Sequence, residues 1–173
     1  MLIVDIIVNM YKRILIIGDS GRGKTTFAQE LSKKLGIPHY ETDDFFWKTK
    51  YSEPNDKGQS IKDVNKIYDL DTWIVEGSTR HLMRGGLAKA DVIFYFKFRN
   101  AFIQYFHIIK RSYKRKDNIW HTFELLLHLT KKKYNIKYNS DKETTKELVR
   151  TYIHKVVYFH SFKEINNYLE NIK

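Results

Sequence analysis

The chain has 173 residues, 42% of them hydrophobic and 29% charged, and no cysteine. That is the size and balance of one soluble globular domain, and it excludes disulfides, thiolate metal sites and cysteine nucleophiles. The net charge is +11, and between Lys97 and Lys137 eleven Lys and Arg face only Asp117 and Glu124, which points to polyanionic partners. A chain rich in Lys, Ile, Asn and Tyr would also carry such charge without any binding role.

The opening residues, Met1 to Asn9, are apolar but contain Asp5 and have neither a basic leader nor a small-residue cleavage site. They argue against a secretory signal, and no apolar run reaches the roughly 18 to 20 residues that cross a bilayer, so a cytoplasmic protein is expected. Ile14 to Ile17 is an unbroken aliphatic run ending at Gly18, the pattern of a strand buried on both faces. A helix is expected over Lys24 to Leu35, with Phe27, Leu31 and Leu35 on one stripe and Gly36 as its stop.

A second strand is expected over Ile37 to Thr42, then a loop from Lys48 to Lys57 containing Pro54. Ile61, Val64 and Ile67 recur at helical spacing. Trp73 to Val75, Val92 to Phe96 and Val156 to Phe159 read as three further strands. Helices are expected from Ala101, near Trp120 to Leu129, over Lys142 to Ile153, and in the last segment, where Phe162, Ile165, Leu169 and Ile172 share a face. Strands alternating with helices call for one α/β domain, a parallel sheet covered on both sides.

Gly18-Asp19-Ser20-Gly21-Arg22-Gly23-Lys24-Thr25 fits G-x-x-x-x-G-K-[ST] at every fixed position and lies between a buried strand and a helix. Glycines there let consecutive backbone N–H groups turn inward on phosphate oxygens, and the helix N-terminus adds partial positive charge. Lys24 would reach the β- and γ-phosphates, the Thr25 hydroxyl would ligate Mg²⁺, and Thr26 completes the ATP-binding stretch.

These residues carry a resemblance. The loop, the acidic residue and glycine at Glu76-Gly77 after the third strand, and the Arg-containing excursion before the last strand resemble the adenylate-kinase-like P-loop kinases. Tyr40 to Trp47, Trp73 to Gly77 and the Val156–Ser161 ending are similar to the topology modulation proteins among them. The resemblance runs from Tyr11 to Lys173 and sets Met10 where such proteins begin. It implies a P-loop NTPase fold: three α/β/α layers around a five-stranded parallel sheet in the order 2-3-1-4-5. It also implies ATP at the loop and a helical lid over about residues 100–137.

The same resemblance suggests roles. Glu76 would stand beside the Mg²⁺ and its waters, since a hard cation needs few direct protein ligands. Glu41 and Asp43 would project to one side if the second strand continues, with Asp43 the candidate base for an acceptor hydroxyl and Asp44 a helix N-cap. Where true adenylate kinases have a Gly and an Arg, this chain has Asp43 and Trp47. Arg80 matches a retained anion contact, so AMP is disfavoured and a small-molecule or nucleoside-like acceptor near Asp43, Trp47 and Arg80 is expected. Arg111 and Arg115, four apart on a helix, would close on the triphosphate, with Arg99 a further contact. Lys131 to Lys133 stay on the surface.

The aromatics from Phe94 to Phe106 read as core, and the seven histidines show no metal-ligand spacing. The leading reading is an ATP-dependent phosphotransferase. The alternative is a nucleic-acid-associated P-loop protein with regulatory ATP binding, resting on the basic segment, and a polynucleotide end kinase would combine both. The acceptor, ATP against GTP and the oligomeric state are left open.

Overall fold

The structure is a computed structural model that describes residues 11–49, 53–98 and 144–172, with 105–106, 108–110, 112–113, 120, 122–124, 126–127 and 130 between them. Five parallel strands form the main sheet: β1 (Arg13–Gly18), β2 (His39–Glu41), β5 (Trp73–Gly77), β6 (Val92–Phe96) and β7 (Val156–Phe159). Their order is β2-β5-β1-β6-β7. Counted without a separate two-stranded hairpin, this is 2-3-1-4-5, as expected. That hairpin, β3 (Trp47–Thr49) with β4 (Glu53–Pro54), is antiparallel and occupies ground read from sequence as loop. Pro54 is tolerated there because a two-stranded ribbon is all edge.

Strand alternation divides the core into two layers. Ile14 and Ile16 face α1 (Lys24–Leu35), packing with Phe27, Ala28, Leu31 and Phe94, and with Ile165 of α6 (Phe162–Glu170). Leu15 and Ile17 point the other way, into α3 (Lys57–Tyr68), α4 (Arg80–Lys89) and α5 (Thr145–Arg150) through Val64, Tyr68, Leu82, Met83, Leu87 and Val149. Each fully buried aliphatic side chain contributes about 1.5–3 kcal/mol, which explains the unbroken apolar run in β1. Phe27 meets Phe94, Phe96 and Phe159 edge-on at centroid distances of 5.2–5.5 Å, so the aromatics of β6 described here are core.

Three local expectations need correction. The second strand covers His39–Glu41 only, and Thr42 starts the short helix α2 (Thr42–Phe46). The N-cap of α2 is Glu41, so Asp44 lies inside the helix rather than capping it. The stretch read as one helix over Lys142 to Ile153 is α5, begun by a capping box between Thr144 and Glu147, and then a 3₁₀ turn at Ile153–Lys155. The described residues between 105 and 130 are helical, and no described helix is long and apolar enough to cross a membrane. Met1 to Asn9 and most of the basic segment lie outside the described residues.

Because all five strands run the same way, Gly18, Glu41, Gly77 and Phe96 end at one edge of the sheet. Ligands gather at that edge in open α/β sheets.

Candidate functional site

The glycine loop leaves β1 at Gly18 under steric constraint. A Cβ on Gly18 would stand 2.8 Å from the Phe96 carbonyl oxygen, and φ there is +153°. Gly23, with φ of +78°, is the N-cap of α1, and a Cβ on it would come within 3.0 Å of the Phe162 ring. The loop is therefore packed from behind by β6 and α6. A glycine cap supplies no side-chain oxygen to the first amides of α1, and the first turn contains no acid. Such a helix end suits an anion.

Three side chains meet beside it. Lys24 is 8% exposed, and its Nζ donates to the Asp19 carbonyl at 3.2 Å. The same ammonium lies 3.9 Å from Glu76 Oε2, and Thr25 donates its hydroxyl to Glu76 Oε1 at 2.6 Å. Glu76 is the last residue but one of β5, next to β1, so strand pairing sets it against the start of α1. A buried carboxylate stabilised by one ammonium and one hydroxyl holds the two side chains that the loop motif assigns to phosphate and Mg²⁺. Thr26 is exposed on the first turn of α1.

Arg22 does something its motif position did not announce. Its guanidinium pairs with Asp19 at 2.7 Å, donates to the Phe96 carbonyl, and lies 5.9 Å from the centre of the Phe98 ring. Only 9% of the residue is exposed. The loop is thus tied to the end of β6, where the basic segment begins. Its sequence separation from Phe96, 74 residues, hid this contact.

On the other side of Glu76, parallel register sets Glu41 against it across β2 and β5. His39, two residues before Glu41, shares their face, and one ligand atom from each of His39, Glu41 and Glu76 lies within 4.8 Å of the others. Burial pushes the His39 imidazole below its ordinary pKa, against the opposing pull of Glu76 and Asp44.

Asp43 lies in the first turn of α2, so it does not continue the alternation of β2 with Glu41. Trp47 closes α2 and opens β3, its ring edge-on to Phe46 at 4.7 Å. Phe46 also approaches His81 at 6.0 Å, next to Arg80, the first residue of α4. Beneath these elements Thr42 packs directly on Gly77, where a Cβ would fall 1.8 Å from the Thr42 hydroxyl. Arg99, Arg111 and Arg115 lie outside the described residues.

No family model matches the chain. The adenylate kinase of Thermosipho melanesiensis is 33% identical over 78 residues, 45% of this chain and 35% of that enzyme. An uncharacterized protein of Bacillus subtilis, YqaC, is 33% identical over 70 residues, 40% of this chain and 39% of its own. The chain thus spans little more than a third of the curated relatives it matches. Among solved structures, shikimate kinase from Acinetobacter baumannii in complex with shikimate superposes with a TM-score of 0.56 at 14% identity, covering 96% of this chain and 93% of that one. Shikimate kinase from Bacteroides thetaiotaomicron follows at 0.52 and 10% identity, covering 92% and 95%. Sheet order, glycine loop and these likenesses agree: the chain has the adenylate-kinase-like P-loop kinase fold.

Proposed function

We propose that the chain is a P-loop phosphotransferase that takes the γ-phosphoryl group of Mg·ATP to a small hydroxyl-bearing acceptor. The observation that carries this reading is the buried Lys24–Glu76 pair with the Thr25 hydroxyl upon it, at the mouth of a loop whose Gly18 and Gly23 positions resist a side chain. The residues fit the cation they would serve. Thr25 offers a hydroxyl and Glu76 a carboxylate, the oxygen donors that Mg²⁺ takes. Bound Mg²⁺ would spread the charge of the triphosphate. The loop amides and Lys24 orient the phosphates. Positioning and charge neutralisation carry most of such a reaction, so few further groups are needed.

Asp43, Trp47 and Arg80 belong to elements that start at the same sheet edge, and in this reading they receive the acceptor. Asp43 takes the proton of its hydroxyl, Trp47 offers a ring face, and Arg80 offers a cation. Arg99, Arg111 and Arg115 would supply charge from the basic segment. An adenylate-kinase match over part of the chain and two shikimate kinases of the same fold support a kinase of this general kind. The test is transfer of label from ATP onto a panel of sugars, hydroxy acids and nucleosides. Transfer to at least one acceptor, reduced at least about a hundredfold in Lys24→Ala, is expected. Equal transfer by a folded Lys24→Ala overturns the reading.

A further inference from the structure

We propose that His39, Glu41 and Glu76 form a site for a borderline divalent cation of the Co²⁺ or Zn²⁺ type, which shares Glu76 with the oxygen ligands offered to Mg²⁺ and adds an imidazole. The pleat of β2 turns His39 and Glu41 to one face, and parallel register brings Glu76 of β5 opposite Glu41. The result is a triangle of one imidazole nitrogen and two carboxylate oxygens, all within 4.8 Å of one another. Tetrahedral ligands about 2.0–2.2 Å from a common ion stand roughly 3.3–3.6 Å apart, so side-chain rotations that bring the three atoms together by up to about 1.5 Å close the set.

The imidazole decides the class of ion. His39 Nε2 is shielded from solvent and has no hydrogen-bond partner among the described residues. A buried nitrogen without a partner is costly unless something occupies it. Mg²⁺ and Ca²⁺ prefer all-oxygen shells, whereas imidazole with carboxylates suits the later first-row ions. Three protein ligands also leave a coordination position for water or a ligand oxygen, as in open rather than structural metal sites.

Glu76 links this triangle to the loop. Its Oε1 accepts from Thr25 and its Oε2 lies 3.9 Å from Lys24 Nζ. An ion drawing on Glu76 therefore competes with the contacts that hold Lys24 and Thr25, and occupancy of the site is felt at the phosphate loop. The proposal stands apart from the phosphotransferase reading, because binding of the ion alone tests it.

The experiment is a titration of the full, nucleotide-free chain with Co²⁺, followed by visible ligand-field absorption. One equivalent is expected to bind and to resist an about tenfold excess of Mg²⁺. His39→Gln and Glu41→Gln, checked for folding by circular dichroism, are each expected to weaken binding at least about tenfold. Should a variant fail to fold, the imidazole NMR signals of the wild-type chain answer instead, with Zn²⁺ expected to shift those of His39 at one equivalent. Absence of the absorption band, unweakened binding in folded His39→Gln, displacement by equimolar Mg²⁺, or an unmoved His39 signal would overturn the proposal. The phosphotransferase reading is decided separately, by the nucleotide heat of the chain free of Co²⁺ and Zn²⁺.

Discussion

Two halves of one sheet edge are built differently. On the β1 side, the loop rises from a strand buried on both faces, and Lys24, Glu76 and Arg22 are each less than a tenth exposed with named partners. On the β2 side, the chain runs through a three-residue strand, a five-residue helix and a two-stranded hairpin, and Phe45, Phe46 and Trp47 are only half-buried. Under the proposed function, a triphosphate presents the same charge and shape in every turnover, so a rigid cradle suits it, whereas an acceptor half made of short elements can vary without disturbing the cradle. Besides the pairing of β2 with β5, the halves touch at Gly77, where Thr42 of the β2 side packs on the strand that carries Glu76.

The largest effect is therefore expected at that contact. Gly77→Ala puts a methyl carbon inside the contact distance of Thr42 Oγ1 and Cβ, and both residues are buried. Loss of roughly 4 kcal/mol or more is expected in chemical denaturation. A wild-type midpoint would mean that the halves are not locked together.

Next comes the buried charge. Lys24→Met leaves the Glu76 carboxylate with the Thr25 hydroxyl but without its ammonium. A loss of about 3 kcal/mol is expected, most of it recovered when Glu76→Gln is added, because the penalty belongs to the uncompensated charge. Additive losses in the double variant would show that Lys24 and Glu76 are not coupled.

Arg22→Ala should cost about 2 kcal/mol, the scale of hydrogen bonds made by charged groups. It should also raise the KM for ATP more than it lowers kcat, since the loop loses its tie to β6. Arg22→Lys should not restore this, because a single ammonium lacks the fork that reaches Asp19 and Phe96 together. Full rescue by lysine would reduce the role to charge alone.

The smallest effect lies at the opposite end of the sheet and serves as a contrast. Burial pushes the Asp91 carboxyl up, but the Arg13 side chain and the backbone N–H groups of Arg13 and Lys12 outweigh it and hold the group below the ordinary value of 3.8. A depressed carboxylate adds stability above the unfolded-state value and loses it as pH falls through the lower folded-state value. Asp91→Asn should flatten the decline in stability below about pH 4 and leave nucleotide binding unchanged. An unaltered acid profile would contradict the assignment.

Sequence patterning reached the first half of the edge far better than the second. Ile14 to Ile17, the glycine loop and the Phe27–Leu31 stripe are local signals, and one strand with its following helix is enough to state them. The sheet order came with the resemblance, not with periodicity. Around Thr42 the local reading failed, because polar residues after a strand look like its continuation. The chain turns into α2 there for a tertiary reason, the seat Gly77 provides for Thr42, 35 residues away. Asp44 therefore falls inside α2 instead of capping it, and Pro54 gives the paired strands Trp47–Thr49 and Glu53–Pro54 the look of a loop. His39 has no metal-ligand spacing along the chain. Its partners are one neighbour on the same strand face and one residue supplied by register from β5.

The proposed function requires that the glycine loop, with Lys24, Thr25 and Glu76, hold a magnesium triphosphate. Isothermal calorimetry of the full chain with Mg·ATP and Mg·GTP tests it most directly. Saturable heat at one site is expected for at least one of these nucleotides, abolished in a Lys24→Ala variant that still shows the wild-type circular dichroism spectrum. No heat from the wild-type chain with either nucleotide, or equal affinity in the variant, would contradict it.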